Sequence, residues 1–337
     1  MNARRLTVTL AVLLPVSLLT AVMVGAVSLP AGGVLRTLLG IGPGDDSQTA
    51  MIVEAIRLPR ALLTALVGAL LAICGAAMQG LFRNPLADPS LIGVTAGASV
   101  GASLMIVFSG TLAGIAGLSL ISLGAFAGGA GAVALVYRLA TGPGGTSVAT
   151  MLLAGIAIAA LAGSAGGLLE FYASNEMLRR ISLWRMGGLE GANWLRVGIV
   201  GVIAALVLTL LPAQARALNA LLLGESEARH LGIPVNAVKR RLILMTAAGV
   251  GVSVAVAGAI TFVGLVVPHI VRMLIGPDHR WLLPASAMAG AVLLLWADIL
   301  ARTLVAPTEL PVGLLTALLG APFFISLLRH RHEYGMA

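Results

Sequence analysis

Charge is scarce in this 337-residue chain: Asp, Glu, Lys and Arg make up 10% of it, against 59% hydrophobic residues and a mean hydropathy of +1.03. Soluble domains carry about 25% charged residues, so a water-exposed globule is excluded and a polytopic membrane protein is indicated. Cysteine is nearly missing. Cys74 is the only one, which rules out a disulfide framework and any cysteine-based metal site, and its place inside an apolar run makes it a packing residue. Lysine is reduced to Lys239 with no glycine-rich loop before it, which excludes the phosphate-cradling P-loop. If ATP drives this chain, another subunit has to bind it. Aromatics are only 4%, and the formal charge of +8 is scattered singly between apolar spans. A nucleic-acid surface would cluster its positive charge, so that partner is excluded. Gly97-Ala98-Ser99-Val100-Gly101 fits G-x-S-x-G, but that elbow needs a strand before it. Here apolar helix lies on both sides. No HExxH run or paired carboxylates support an enzyme of another kind.

What is present is a succession of apolar runs: 6–27, 61–82, 92–108, 112–137, 149–169, 195–212, 242–260, 263–276, 282–301 and 312–328. Each is read as a membrane helix, giving about ten in an all-α chain. The first follows Arg4-Arg5 and exceeds the 7–15 residues of a signal-peptide core, so it is read as a retained span. The second runs from Ala61 to Phe82 without a charge, and at about 1.5 Å per residue it crosses a hydrocarbon core of roughly 30 Å. Gly68, Ala72, Ala76 and Gly80 share one of its faces, a ladder of small side chains that lets another helix come close. Pro85 ends it and restricts Asn84, leaving a polar turn that must be satisfied by protein or water.

Placing both termini in the cytoplasm puts 13 Lys and Arg inside and 8 outside, as the positive-inside rule prefers. Arg57, Arg60 and Arg302 then fall at the outer ends of helices. They either meet an acidic partner or snorkel to lipid headgroups. Asp298 lies one turn before Arg302, the spacing of a helical ion pair. His269 is read as a packing histidine, since no second ligand stands at helical spacing. Two connections are long. Glu170–Trp194 is expected to hold a short outer helix. Ala213–Arg241 is expected to hold two short inner helices, the second over Glu225–Leu231 with Gly232 as its C′ residue and Pro234 preventing continuation. This pair reads either as a docking knob or as an ordinary basic loop.

Several spaced motifs in one order resemble the FecCD-type permeases, the membrane subunits of binding-protein-dependent ABC importers for iron chelates, haem and cobalamin. They are Arg57-Leu58-Pro59-Arg60, Gly75 with Met78-Gln79, Asn84-Pro85-Leu86-Ala87-Asp88-Pro89, Gly258-Ala259-Ile260 leading to Gly264-Leu265-Val266-Val267-Pro268-His269, Ala297 to Arg302, and Glu309-Leu310-Pro311-Val312-Gly313.

The resemblance implies a type II importer fold, with residues 1–337 forming one permease domain and residues 213–241 its cytoplasmic coupling loop. It implies residence in a bacterial inner membrane, a second permease subunit, identical or not, and separate ATPase subunits that bind the ATP. It implies that Arg57, Arg60 and Arg302 receive glutamates of a periplasmic or lipid-anchored binding protein. Leu223, Gly224, Glu225, Ala228, Arg229 and Gly232 are implied to couple to the ATPase. Gln79, Asn84, Pro85, Pro268 and His269 are candidates for the translocation path, which is expected to be largely apolar, and no metal site or bound cofactor is expected. Met78–Asp88, Leu218–Gly232 and Trp184–Gly188 look most like the haem-importing branch; a ferric-siderophore or cobalamin permease is the alternative. An ion-coupled secondary carrier is the alternative of another class, with Asp298 as its only clear ionisable candidate in a span.

Overall fold

A computed structural model describes residues 2–41, 47–108, 114–143 and 145–333. Within them, seven helices are long and apolar enough to cross a membrane: α1 (Ala3–Met23), Gln48–Leu81, Ser119–Ala140, α7 (Val148–Tyr172), α9 (Trp194–Ala213), α12 (Val235–Ala257) and α14 (His279–Thr303). The second of these joins α3 (Ser47–Ile52), a π-helical turn (Val53–Arg57) and α4 (Leu58–Leu81), and the third is most of α6 (Gly114–Ala140). Three shorter apolar helices complete the expected ten: α5 (Val94–Phe108), α13 (Val263–Ile275) and the Val312–Ser326 part of α15 (Val312–Glu333). Residues 112 and 113 of the fourth predicted run lie outside the described residues. Between the spans sit α2 (Ala31–Leu38), α8 (Asn175–Met186), α10 (Ala215–Leu222) and α11 (Glu225–His230), together with a two-residue hairpin pairing β1 (Thr141–Gly142) with β2 (Gly145–Thr146).

Helix α4 is the centre. The most apolar stretch of the Gln48–Leu81 helix is 83% buried, against 17% for α7 and 22% for α9. α4 can occupy that place because its surface is small. A Cβ on Gly68 would lie 2.4 Å from the Gly290 carbonyl oxygen, and one on Gly290 would lie 2.4 Å from the Ala72 Cβ. The predicted ladder therefore packs on α14, which runs antiparallel to it. On another face a Cβ at Gly75 would fall 1.8 Å from the Gly264 oxygen of α13. Cys74 is buried where α4 meets Gly249 of α12, in keeping with a packing role.

Two segments interrupt the helices. After α4, Arg83 takes a left-handed φ of 51° and the chain folds back through a 3-10 turn, Pro89–Ile92, capped by the Asp88 carboxylate on the Ser90 N–H at 2.8 Å. After α12, Gly258 (φ 68°) sits where a side chain would meet the Trp184 oxygen at 2.2 Å, and Phe262 (φ 67°) starts α13, whose Gly264 lies against Gly75 within α4. Irregular backbone at such a depth persists only where protein or a cavity serves it.

Candidate functional site

Three regions carry the candidate residues. At the end of the bundle where α4 begins, the guanidinium groups of Arg57, Arg60 and Arg302 converge. Arg57 donates to the carbonyls of Val22 (2.9 Å), Met23 (2.7 Å) and Val27. Arg302 donates to the carbonyl of Ala21 at 2.5 Å. Ala21, Val22 and Met23 end α1, and the last carbonyls of a helix have no partner within it. Two arginines supply those partners and place positive charge at the negative end of the helix dipole. Arg60 instead grips carboxylates: its Nε and Nη2 lie 3.0 and 2.8 Å from Asp298 Oδ1, and its Nη1 lies 2.7 Å from Glu309 Oε2. Asp298 also holds Arg302, with Nε 3.3 Å from Oδ2.

The three arginines are only 4%, 7% and 4% exposed. Burial near the apolar core makes an unpaired guanidinium too costly, and each of the three has a carbonyl or carboxylate partner within the chain. The Glu309 side chain, 29% exposed, is the most accessible member of the carboxylate–arginine network.

In the middle, the two interrupted segments face each other across a groove of about 270 Å³ lined by Pro89, Ser90, Thr95, Ala259, Thr261 and Phe262, among others. None of the five path candidates lines it. Gln79 is buried in the α4–α13 contact, donating to the Leu265 carbonyl at 3.0 Å and facing Arg272 at 3.4 Å. The Asn84 Oδ1 accepts from the Leu86 N–H at 2.9 Å and so folds the turn that Pro85 begins. Pro268 and His269 are buried within α13.

At the opposite end lie α10 and α11. Gly224 (φ 118°) lets the chain turn sharply between them. Ala228 is fully buried, while Leu223 and Leu231 point outward at 67% and 62% exposure. Gly232 (φ 78°) closes α11, its N–H bonded to the Arg229 carbonyl at 2.9 Å. Glu225 lies 3.8 Å from Arg229 and 2.5 Å from the Nζ of Lys239. Lys239 is itself buried and donates to the Thr146 carbonyl of β2 at 2.7 Å. Nearby, the Asp278 carboxylate caps α14 on the Arg280 N–H (3.0 Å) and accepts from Asn219 of α10 (2.6 Å). The Arg280 N–H and then the Asn219 amide hold that carboxyl below its usual range.

Against known proteins, the model of the FecCD transport family matches residues 13–330. The chain belongs to that family. This FecCD chain is 47% identical over 326 residues to the hemin transport system permease protein HmuU of Yersinia pestis, covering 96% of this chain and 95% of that one. It is 45% identical over 288 residues to the cobalamin import system permease protein BtuC of Halobacterium salinarum, covering 86% and 76%. Its fold matches a metal-chelate type ABC transporter in an inward-facing conformation with a TM-score of 0.85 and 32% identity, over 97% of this chain and 99% of that one.

The FecCD chain is thus a multi-pass membrane protein and a permease subunit of ABC importers. Its structure brings Arg57, Arg60 and Arg302 into one cluster and the six coupling candidates into one surface helix and its turns. Of the path candidates, Asn84 donates its backbone N–H to the Gln79 carbonyl at 3.1 Å, and Gln79 packs on α13, which carries Pro268 and His269. Sequence reasoning missed Glu309 as a partner of Arg60, because 249 positions separate them. It also missed Lys239 as the anchor of Glu225, although the only lysine of an apolar chain was a signal in itself.

Proposed function

We propose that this permease carries a metal chelate, foremost haem, across a bacterial inner membrane with both termini cytoplasmic, using ATP hydrolysed by separate ATPase subunits. The observation that carries the cargo reading is the likeness to a hemin permease along nearly the whole of both chains. In this reading residues 213–241 form a coupling loop of the single permease domain. Glu225, Ala228, Arg229 and Gly232 shape a knob that presents Leu223 and Gly224 to the ATPase. A substrate-binding protein docks at the opposite end, over Arg57, Arg60 and Arg302, with charge guiding encounter and orientation more than affinity. A second copy or a related subunit completes the path. The cargo arrives already complexed, so this chain supplies passage and no tight metal site or resident cofactor.

Cobalamin is the second reading, favoured by the 45% identity to a cobalamin permease. Uptake into proteoliposomes containing the chain, its ATPase and its binding protein tests both, with haem, a ferric siderophore and cobalamin offered in turn. ATP-dependent haem uptake is expected. Uptake of cobalamin or siderophore in place of haem overturns the cargo, and uphill transport by this chain alone under an ion gradient overturns the importer mechanism.

A further inference from the structure

A second groove, of about 490 Å³, runs between α5, α7 and α8 from Ser90 at one end to the Glu170–Arg185 ion pair (2.8 Å) at the other. It shares Ser90, Thr95 and Ala259 with the central groove, so the two spaces meet at the interrupted segments. Its walls differ in chemistry. The α7 wall is made of small residues, among them Gly163, Gly166 and Gly167, which offer no side-chain hydrogen bond. The α5 wall presents Thr95, Ser99 and Ser103, spaced four apart and therefore on one helix face.

Several hydroxyls on other faces of the membrane helices are used up locally. Thr64, Ser164, Thr209 and Ser253 each bond the carbonyl four residues back. Among the described residues, Thr95, Ser99 and Ser103 make no such bond and no other, although Ser103 is only 2% exposed. Three donors aligned along one groove, none of them spent on a bond within the described residues, are a site awaiting acceptors.

We propose that Thr95, Ser99 and Ser103 form a cargo-contact strip that hands a metal chelate along α5 through the chelate's peripheral carboxylate or carbonyl oxygens. This rests on the importer reading above. Neutral hydroxyls suit the task, because a path must bind in several weak steps and still release. The glycine wall opposite leaves room for a broad, flat solute.

The test uses the full complex of permease, ATPase and binding protein in proteoliposomes, with haem, a ferric hydroxamate siderophore and cobalamin as probes. The triple variant Thr95→Val, Ser99→Ala, Ser103→Ala is expected to lower uptake of whichever cargo the wild type moves by about tenfold, since each hydrogen bond lost is worth a factor of a few. Binding-protein docking and ATP hydrolysis stay at wild-type levels. Ser164→Ala, whose hydroxyl serves its own helix, leaves uptake unchanged. Should the triple variant fold poorly, Ser99→Ala against Ser99→Thr decides: the threonine keeps a donor and retains uptake. Wild-type uptake in the triple variant, or equal loss in the alanine and threonine variants, overturns the strip. A parallel fall in ATP hydrolysis overturns it too, by showing a structural effect. A wild-type complex that moves none of the three cargoes overturns the importer reading instead, and is told apart because the failure precedes any substitution.

Discussion

Arg60 and Asp298, 238 positions apart, are joined by two hydrogen bonds to one carboxylate oxygen, at 3.0 and 2.8 Å, in a place where Asp298 has no exposed surface. α4 and α14 are thereby pinned at one end, about two turns from where Gly68 and Gly290 let them approach. Asp298 also balances Arg302, so its loss leaves Arg60 with Glu309 alone and Arg302 with only the Ala21 carbonyl. Asp298→Ala is expected to cost about 3–5 kcal/mol, as removal of one member of a buried pair does, and to lower the thermal midpoint of the purified permease. Arg302→Ala leaves Asp298 paired with Arg60 and should cost less. Equal losses from the two variants would show that Asp298 is not the hub.

Close approach of α4 to α13 depends on Gly75. With its Cβ placed 1.8 Å from a backbone oxygen, Gly75→Ala forces the helices apart, and overpacking of this kind costs about 1–3 kcal/mol. Gly198→Ala on α9 meets nothing within 4 Å and is expected to be neutral or slightly stabilising. Thermal denaturation of the two variants side by side checks the contrast.

Most of the fold was legible because a membrane helix announces itself through length and apolarity alone. The predicted run 61–82 and the observed Leu58–Leu81 differ by a few residues. The ladder at Gly68, Ala72 and Gly80 was legible for a related reason, since four-residue spacing means one face. Pairing across the bundle was not. Nothing local in Arg60 or Glu309 tells which carboxylate meets which guanidinium, and rules about membrane sidedness predict the end of the helix where an arginine lies, not whether its side chain turns outward. The burial of Arg57 follows from the bare carbonyls of α1, which become visible only once the end of α1 is brought to it. Proline and asparagine mark where helices break, whereas the grooves are lined by residues just beyond the break, Pro89, Ser90 and Ala259, which carry no such mark in the sequence.

Lys239 ties the short helix α11 to the hairpin and to α12. Its ammonium is buried between the Glu225 carboxylate and the Thr146 carbonyl. Lys239→Met keeps the volume and removes both interactions, at a cost of about 1–3 kcal/mol for the acceptors left behind. Amide exchange across residues 225–232 should accelerate while that of α4 stays unchanged. If α11 is the coupling element, ATP hydrolysis in the reconstituted complex then continues with reduced uptake. Unaltered exchange would show that Ala228 packing alone seats the helix.

The start of α14 should sense acid through Asp278. Its carboxyl is held below its usual value, chiefly by the Arg280 N–H and next by the Asn219 amide, so the folded state favours the ionised form. For a depressed carboxyl the stabilisation is complete above the unfolded pKa of about 3.9 and is lost as pH falls through the lower folded value. Exchange of the amides of residues 280–283 is therefore expected to rise, after correction for intrinsic rates, as pH is taken from 5 toward 3. Asp278→Asn preserves a good N-cap without a titrating group, so that variant should lose this pH dependence while keeping α14 capped at neutral pH. Because Asn219 bridges Asp278 to α10, the same acid step should loosen α10 in the wild type and leave it unmoved in the variant. A wild-type response identical to that of Asp278→Asn would mean that the carboxylate is not what ties α10 to α14.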